Sequence, residues 1–204
     1  MSYIMERYPT ELIDIVHLAR GARVTIRPVL PQDEDLLADF FRELSETSRR
    51  NRFFRAVREL PARVVHSFTS IDYHAHFALI ATILNDGGEV IIGEARYVVI
   101  EPSAAEFAVT VADKWQGQGI GRLLLAGLLC RSAAEGIPRL FGDILLTNEA
   151  MRRLARAAGM RITFMGDGLG VMRAEKLLLS SQSRNAVGPK ALQDNGNATP
   201  DCPR

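Results

Sequence analysis

Residues 116–122 read Gln-Gly-Gln-Gly-Ile-Gly-Arg, with glycine at three alternate positions before a leucine-rich stretch. Glycine inside a helix costs roughly 1 kcal/mol against alanine, so bare backbone must serve a purpose there. A strand that ends in glycines and feeds a helix makes an anion cradle. The first N–H groups of the helix have no partner within it, and the helix dipole adds partial positive charge. With no Cβ in the way, a phosphate or pyrophosphate can come close. Spacing excludes two common versions. A P-loop needs Lys-Ser or Lys-Thr after its last glycine, and Arg122-Leu123 follow Gly121. A dinucleotide fingerprint starting at Gly117 and Gly119 needs glycine at 122 and belongs after the first strand, not after several. What remains is Gln-x-x-Gly-x-Gly at Gln116, Gly119 and Gly121, with Gly117 in addition.

The elements that must carry this loop alternate between β and α. Residues 11–18 and 22–27 are β-like runs around Gly21 and suit a hairpin. Pro28 and Pro31 end the second run, and Gln32-Asp33-Glu34-Asp35 put acid where a helix starts. Leu36, Leu37, Phe40, Phe41 and Leu44 follow at helical spacing, and residues 61–68 form a second short helix. Residues 77–84 and 90–100 are strands joined by Asn-Asp-Gly-Gly, and 106–111 alternate as a third. The helix after the glycine loop runs to about 135, where Gly136 and Pro138 stop it. A strand over 140–146, a helix over 148–158 and a strand pair at 162–165 and 171–174 complete the order. Three segments follow: an N-terminal extension over 1–21 that adds a strand, a domain over 22–176, and a disordered tail over 177–204. The tail is small and polar with little to bury.

Composition narrows the function. The chain has 204 residues, 47% hydrophobic and 24% charged, enough for one domain with a sizeable core. A net charge of +1 offers no global field for nucleic acid or an anionic membrane. Neither Cys130 nor Cys202 sits in a CxxC pair, so no disulfide framework or zinc site is expected, and Cys130 reads as a small core residue. His66, His74 and His76 lack carboxylate or cysteine company, so no metal is expected. With no signal-like or membrane-length apolar run, a cytoplasmic protein is expected. Arg49, Arg50, Arg52, Arg55 and Arg58 read as a solvated basic face, with contact to an acidic protein surface or to phosphates as the alternative.

Residues 109–124, Val-Thr-Val-Ala-Asp-Lys-Trp-Gln-Gly-Gln-Gly-Ile-Gly-Arg-Leu-Leu, resemble the acetyl-CoA motif of the GNAT superfamily of N-acetyltransferases. Asn148 with its amphipathic helix, ending at Gly159-Met160, resembles that superfamily's next element. Three further stretches are similar to bacterial protein-lysine acetyltransferases: Tyr8-Pro9 with Arg27-Pro28-Val29 and Asp33, residues 44–54, and Ala105-Glu-Phe-Ala-Val. The resemblance implies an α/β acyl-CoA N-acyltransferase fold, a mixed central sheet flanked by helices, with two central strands splayed to admit acetyl-CoA. It places the pantetheine arm on the backbone of Val109, Thr110 and Val111. It places the pyrophosphate on Gln116, Gly117, Gln118, Gly119, Ile120, Gly121 and Arg122, and Asn148 near the thiol end.

Acetyl transfer to an amine needs a free lone pair, and a lysine amine with a pKa of ~10.4 is almost all protonated at neutral pH. The resemblance makes Glu106 the base. It interrupts an apolar run on the strand before the glycine loop, where half-burial would raise its pKa. Asp113 and Glu101 are weaker candidates on turns. One departure stands out. Many small-molecule GNAT enzymes carry a tyrosine acid seven residues after the asparagine, and here that position is Ala155. The expected acceptor is a protein lysine. A small amine, or a silent acyl-CoA-binding module, are the alternatives.

Overall fold

The computed structural model describes residues 8–19, 21–166 and 170–178. Its strands are β1 (Asp14–His17), β2 (Arg23–Pro28), β3 (His76–Asn85), β4 (Gly88–Glu101), β5 (Ala104–Val111), β6 (Arg139–Leu145), β7 (Arg161–Phe164) and β8 (Val171–Leu177). Its α-helices are α1 (Glu34–Glu43), α2 (Glu46–Phe53), α3 (Ala62–Thr69), α4 (Ile120–Ala134) and α5 (Glu149–Ala157). The strands form one sheet in the order β1-β2-β3-β4-β5-β6-β8-β7. Every neighbour is antiparallel except β5 and β6. A parallel pair needs a crossover, and α4 supplies it. This is the mixed, helix-flanked sheet of the acyl-CoA N-acyltransferase fold.

Strand alternation divides the core in two. One face of β3 and β4 presents Phe77, Leu79, Ala95 and Tyr97 to Leu124, Leu125, Leu128 and Leu129 of α4. Each buried leucine is worth about 1.5–3 kcal/mol. The other face presents Ala78 and Ile80 to Leu37, Phe40 and Phe41 of α1 and Val65 of α3. Leu37, Phe40 and Phe41 are among the apolar positions whose helical spacing marked α1 in the sequence.

Three expectations change. The first strand does not fill 11–18, because Thr10–Leu12 forms a 3-10 turn and pairing with β2 starts at Asp14. The last strand passes 174 to Leu177, and Leu178 is buried with its N–H on the Pro138 carbonyl, so the ordered chain reaches past the expected tail boundary at 177. Residues 179–204, Cys202 among them, lie outside the described residues. Cys130, half-buried on α4, is disulfide-bonded rather than a free core thiol.

β5 and β6 pair only from Ala104↔Arg139 to Glu106↔Phe141 and then part. The wedge is Phe107. A Cβ on Gly142 would stand 2.8 Å from the Phe107 carbonyl oxygen and 2.8 Å from its ring. Only glycine lets the strands come this close where they start to diverge. Gly142→Ala is expected to cost about 1–3 kcal/mol, the usual price of overpacking, read as a lower urea midpoint with an unchanged slope.

Candidate functional site

The split opens a groove. Since Phe107 turns its carbonyl toward β6, alternation points the N–H and C=O of Val109 the same way, onto an edge with no strand beside it. The equivalent carbonyl of Val111 accepts a hydrogen bond from Gln116 Nε2 at 3.0 Å. A cavity of about 680 Å³ runs along this edge to the glycine loop. Val109, Thr110, Val111, Gln116, Gly117, Gly119, Gly121, Arg122 and Asn148, all expected at the cofactor, line it. Gln118 and Ile120 do not. Gln118 turns its amide to the Lys114 carbonyl, and Ile120 is buried in the core.

At the loop the backbone N–H groups of 117–121 have no partner among the described residues. Gly119 caps α4 at φ +91° with no side-chain cap, and nothing stands within 4 Å of where its Cβ would be. Free amides, an uncapped helix start and Arg122 fit a pyrophosphate. Gly121 has a different reason to be glycine. Its Cβ would meet Leu154 at 3.3 Å, so it serves the packing of α4 on α5 and a bulky residue there would disturb the fold.

A second cavity of about 130 Å³ joins the groove at the split, and Glu106 lines it. Asn51, Arg52, Val109, Asn148 and Met151 belong to both cavities and form the junction. Asn148 caps α5, its Oδ1 accepting from the Met151 N–H at 3.1 Å, which leaves its amide N–H groups to the junction.

A model of the acetyltransferase (GNAT) domain matches residues 23–161. The chain belongs to the GNAT acetyltransferase family. It is 31% identical over 140 residues to an acetyltransferase of Pseudomonas aeruginosa, covering 68% of this chain and 75% of the relative. It is 31% identical over 162 residues to the acetyltransferase Pat of Mycolicibacterium smegmatis, covering 78% of this chain but 47% of that longer one. The solved GNAT domain of S. lividans PAT superposes with a TM-score of 0.77 at 30% identity, covering 84% of this chain and all of that one. The GNAT fold implies acetyl-CoA as cosubstrate, and the free amides, the open strand edge and the volume of the groove fit it. No group of three or more His, Cys, Asp or Glu able to hold a metal occurs among the described residues.

The GNAT groove has a wall that sequence reasoning missed. Residues 46–53 form α2, with Thr47, Ser48, Asn51 and Arg52 facing the groove, where the sequence suggested a solvated arginine run or, as the alternative, contact with an acidic protein surface or with phosphates. The helix lacks an apolar stripe, so periodicity could not reveal it. The Ser45-x-x-Ser48 spacing was its one local signal, Ser45 Oγ accepting from the Ser48 N–H at 3.1 Å. On the facing side Met151, Arg153 and Leu154 of α5 also line the groove.

Asp113 holds α2 in place. Its carboxylate accepts from the Ser45 N–H (2.9 Å), the Ser45 hydroxyl (2.6 Å) and the Ser48 hydroxyl (2.8 Å). Gln116 Nε2 adds a bond to Ser48 Oγ at 3.2 Å. Burial acts to raise the Asp113 pKa, but the hydrogen bonds from Ser45 and Ser48 outweigh it and hold the carboxyl below its usual range. A carboxylate so engaged is a poor base. Its folded pKa is depressed, so its contribution to stability is complete above the unfolded value of ~3.9 and is lost as pH falls through the folded value. Asp113→Ala is therefore expected to be less stable at neutral pH by about 1–2 kcal/mol, with the gap closing below about pH 4. Urea unfolding across that range checks it.

Glu106 corrects an expectation. It is exposed rather than half-buried. Buried charge lies on the same face of β4, where Glu94 and Arg96 alternate onto the side of Val98, the residue paired with Glu106. Glu94 of β4 is fully buried and accepts from Nε of Arg96. Arg96 also donates to His76 Nε2 at 2.9 Å and to the Phe68 carbonyl at 3.2 Å, and its guanidinium lies 3.7 Å from the centre of the Phe68 ring. Burial and Arg96 push the His76 pKa down to about 4, so its ring is a neutral acceptor. His66 and His74 go elsewhere, to Glu34 and Glu135.

Proposed function

We propose that this acetyltransferase moves the acetyl group of acetyl-CoA to lysine side chains of proteins, by direct attack of the amine with Glu106 as general base. One observation carries the assignment of the base. The Glu106 carboxylate has no hydrogen bond or ion pair among the described residues, whereas the other acid of its cavity, Asp143, is held by Arg173 through two bonds of 2.8 and 2.9 Å. A carboxylate with free lone pairs beside the junction can take the amine proton directly or through one water. Asp113 and Glu101 cannot compete. The first is tied to α2, and the second bonds to Arg139 and Ser103.

The protein-lysine reading draws support from the resemblance of residues 44–54 and 105–109 to that group and from the similarity to Pat. Purified protein with labelled acetyl-CoA and a cell extract tests it. Labelled protein bands, with the label on lysine, are expected. Label confined to small molecules would move the acceptor to a small amine. Binding of acetyl-CoA without transfer would leave a silent module.

A further inference from the structure

Arg52 occupies an unusual position. Its side chain is 12% exposed, yet it makes no hydrogen bond among the described residues. Nε is sealed from solvent without a partner, and the nearest carboxylate oxygen, Glu94 Oε2, is 4.0 Å away and also unpartnered. The guanidinium rests near the rings of Phe53 and Phe68, at 5.1 and 5.6 Å from their centres. Arg96 has already claimed the other Glu94 oxygen, and His76 is neutral. One buried carboxylate thus faces two guanidiniums, and the cluster keeps one surplus positive charge. Burial pushes the Arg52 pKa down while Glu94 and Glu106 act to raise it, and a guanidinium stays charged throughout. Of its three nitrogens only Nε is sealed, and Arg52 lines both cavities, so its Nη groups are open to an acceptor that arrives with the substrate.

The acceptor's place follows from the two cavities. The reacting thioester must touch both the cofactor groove and the Glu106 cavity, so it lies at the junction of Asn51, Arg52, Val109, Asn148 and Met151. None of these side chains has an O–H to protonate a leaving sulfur, and Arg52 alone carries charge. We propose that Arg52 is a catalytic residue that stabilises the CoA thiolate as it leaves. This rests on the acetyl-transfer reading above. The amine nitrogen bonds to the acyl carbon, the C–S bond breaks, and sulfur departs with the bonding pair. The amine proton passes to the Glu106 carboxylate. Arg52 donates an N–H to the sulfur and keeps its own proton.

CoA itself, bound to the full chain, tests this without an acceptor. The thiol is titrated by the ultraviolet absorbance of its thiolate. In the unaltered protein it is expected to ionise at least about tenfold more readily than in free CoA, the effect of an arginine beside a thiol. Arg52→Gln should abolish that shift and lower acetyl transfer by about 10²-fold, the scale of one lost charge-stabilising donor. Arg52→Lys should retain part of both. Since Glu94 keeps Arg96, Arg52→Gln should keep or raise the melting temperature. An unshifted thiol in the unaltered protein, or the same shift in Arg52→Gln, overturns the role. If Arg52→Gln does not fold, an Arg52→Lys titration identical to the unaltered one overturns it equally. A protein that binds no CoA would overturn the acetyl-CoA reading itself, a result distinct from CoA bound with an ordinary thiol.

Discussion

Glu106→Gln lowers turnover by about 10²- to 10⁴-fold and leaves the dissociation constant for acetyl-CoA unchanged, the outcome expected for loss of a general base. Glutamine is close to isosteric. Glu106 is exposed and makes no bond that the strand depends on, so β5 keeps its pairing with β4 through Val98. The residual rate of the variant should climb steadily with pH as free amine and hydroxide replace the missing base. The unaltered enzyme should instead rise and level off. Steady-state rates across pH, with CoA affinity by calorimetry as the control, decide it. Equal loss of affinity and turnover would make Glu106 structural. Full activity would place the base elsewhere, and Asp143 would be the next carboxylate to test, since it shares the cavity.

Gly119→Val should weaken CoA binding by about 10²-fold or more, as expected when two or more charge-assisted phosphate bonds are lost. Two effects combine. At φ +91° a β-branched residue is strained by about 1–3 kcal/mol. Its methyl groups also enter the open space before the free amides of 117–121. Gly136→Val separates the two. Gly136 has φ +72° and equally open surroundings, but it lies at the far end of α4, away from the groove. Both variants should lose comparable thermal stability, and only Gly119→Val should lose CoA affinity. Calorimetry and thermal melts on the pair check this. A Gly121 variant would not serve, because its Cβ meets Leu154.

Much of the site was legible because its signals are local. The glycine spacing marks a helix start that needs bare backbone, and the five N–H groups of 117–121, without a partner among the described residues, are what that spacing leaves. The leucine-rich run after the loop marks α4, and the helix expected from 148 is α5, capped by Asn148. The polar helix α2 was not legible. Its position comes from Asp113, which meets Ser45 and Ser48 across 68 and 65 residues of chain. The exposure of Glu106 was not legible either. An acid in an apolar run reads as half-buried unless the neighbouring strand departs, and β6 leaves after Phe141.

The sequence by itself therefore determined the α/β order and the bare backbone of the glycine loop, whereas Glu106 became the candidate base through the resemblance of residues 105–109. The order and the loop depend on residues within a few positions of one another, where periodicity, capping and backbone freedom act directly. Tertiary structure alone decided where the strands part, which helix closes the groove, and that Arg52, drawn from an apparently solvated run, is buried beside Glu94. Those outcomes depend on close packing between distant segments, Phe107 against Gly142 and α2 against β5. A buried guanidinium acquires its chemistry from neighbours that folding assembles, and no local pattern in the chain records them.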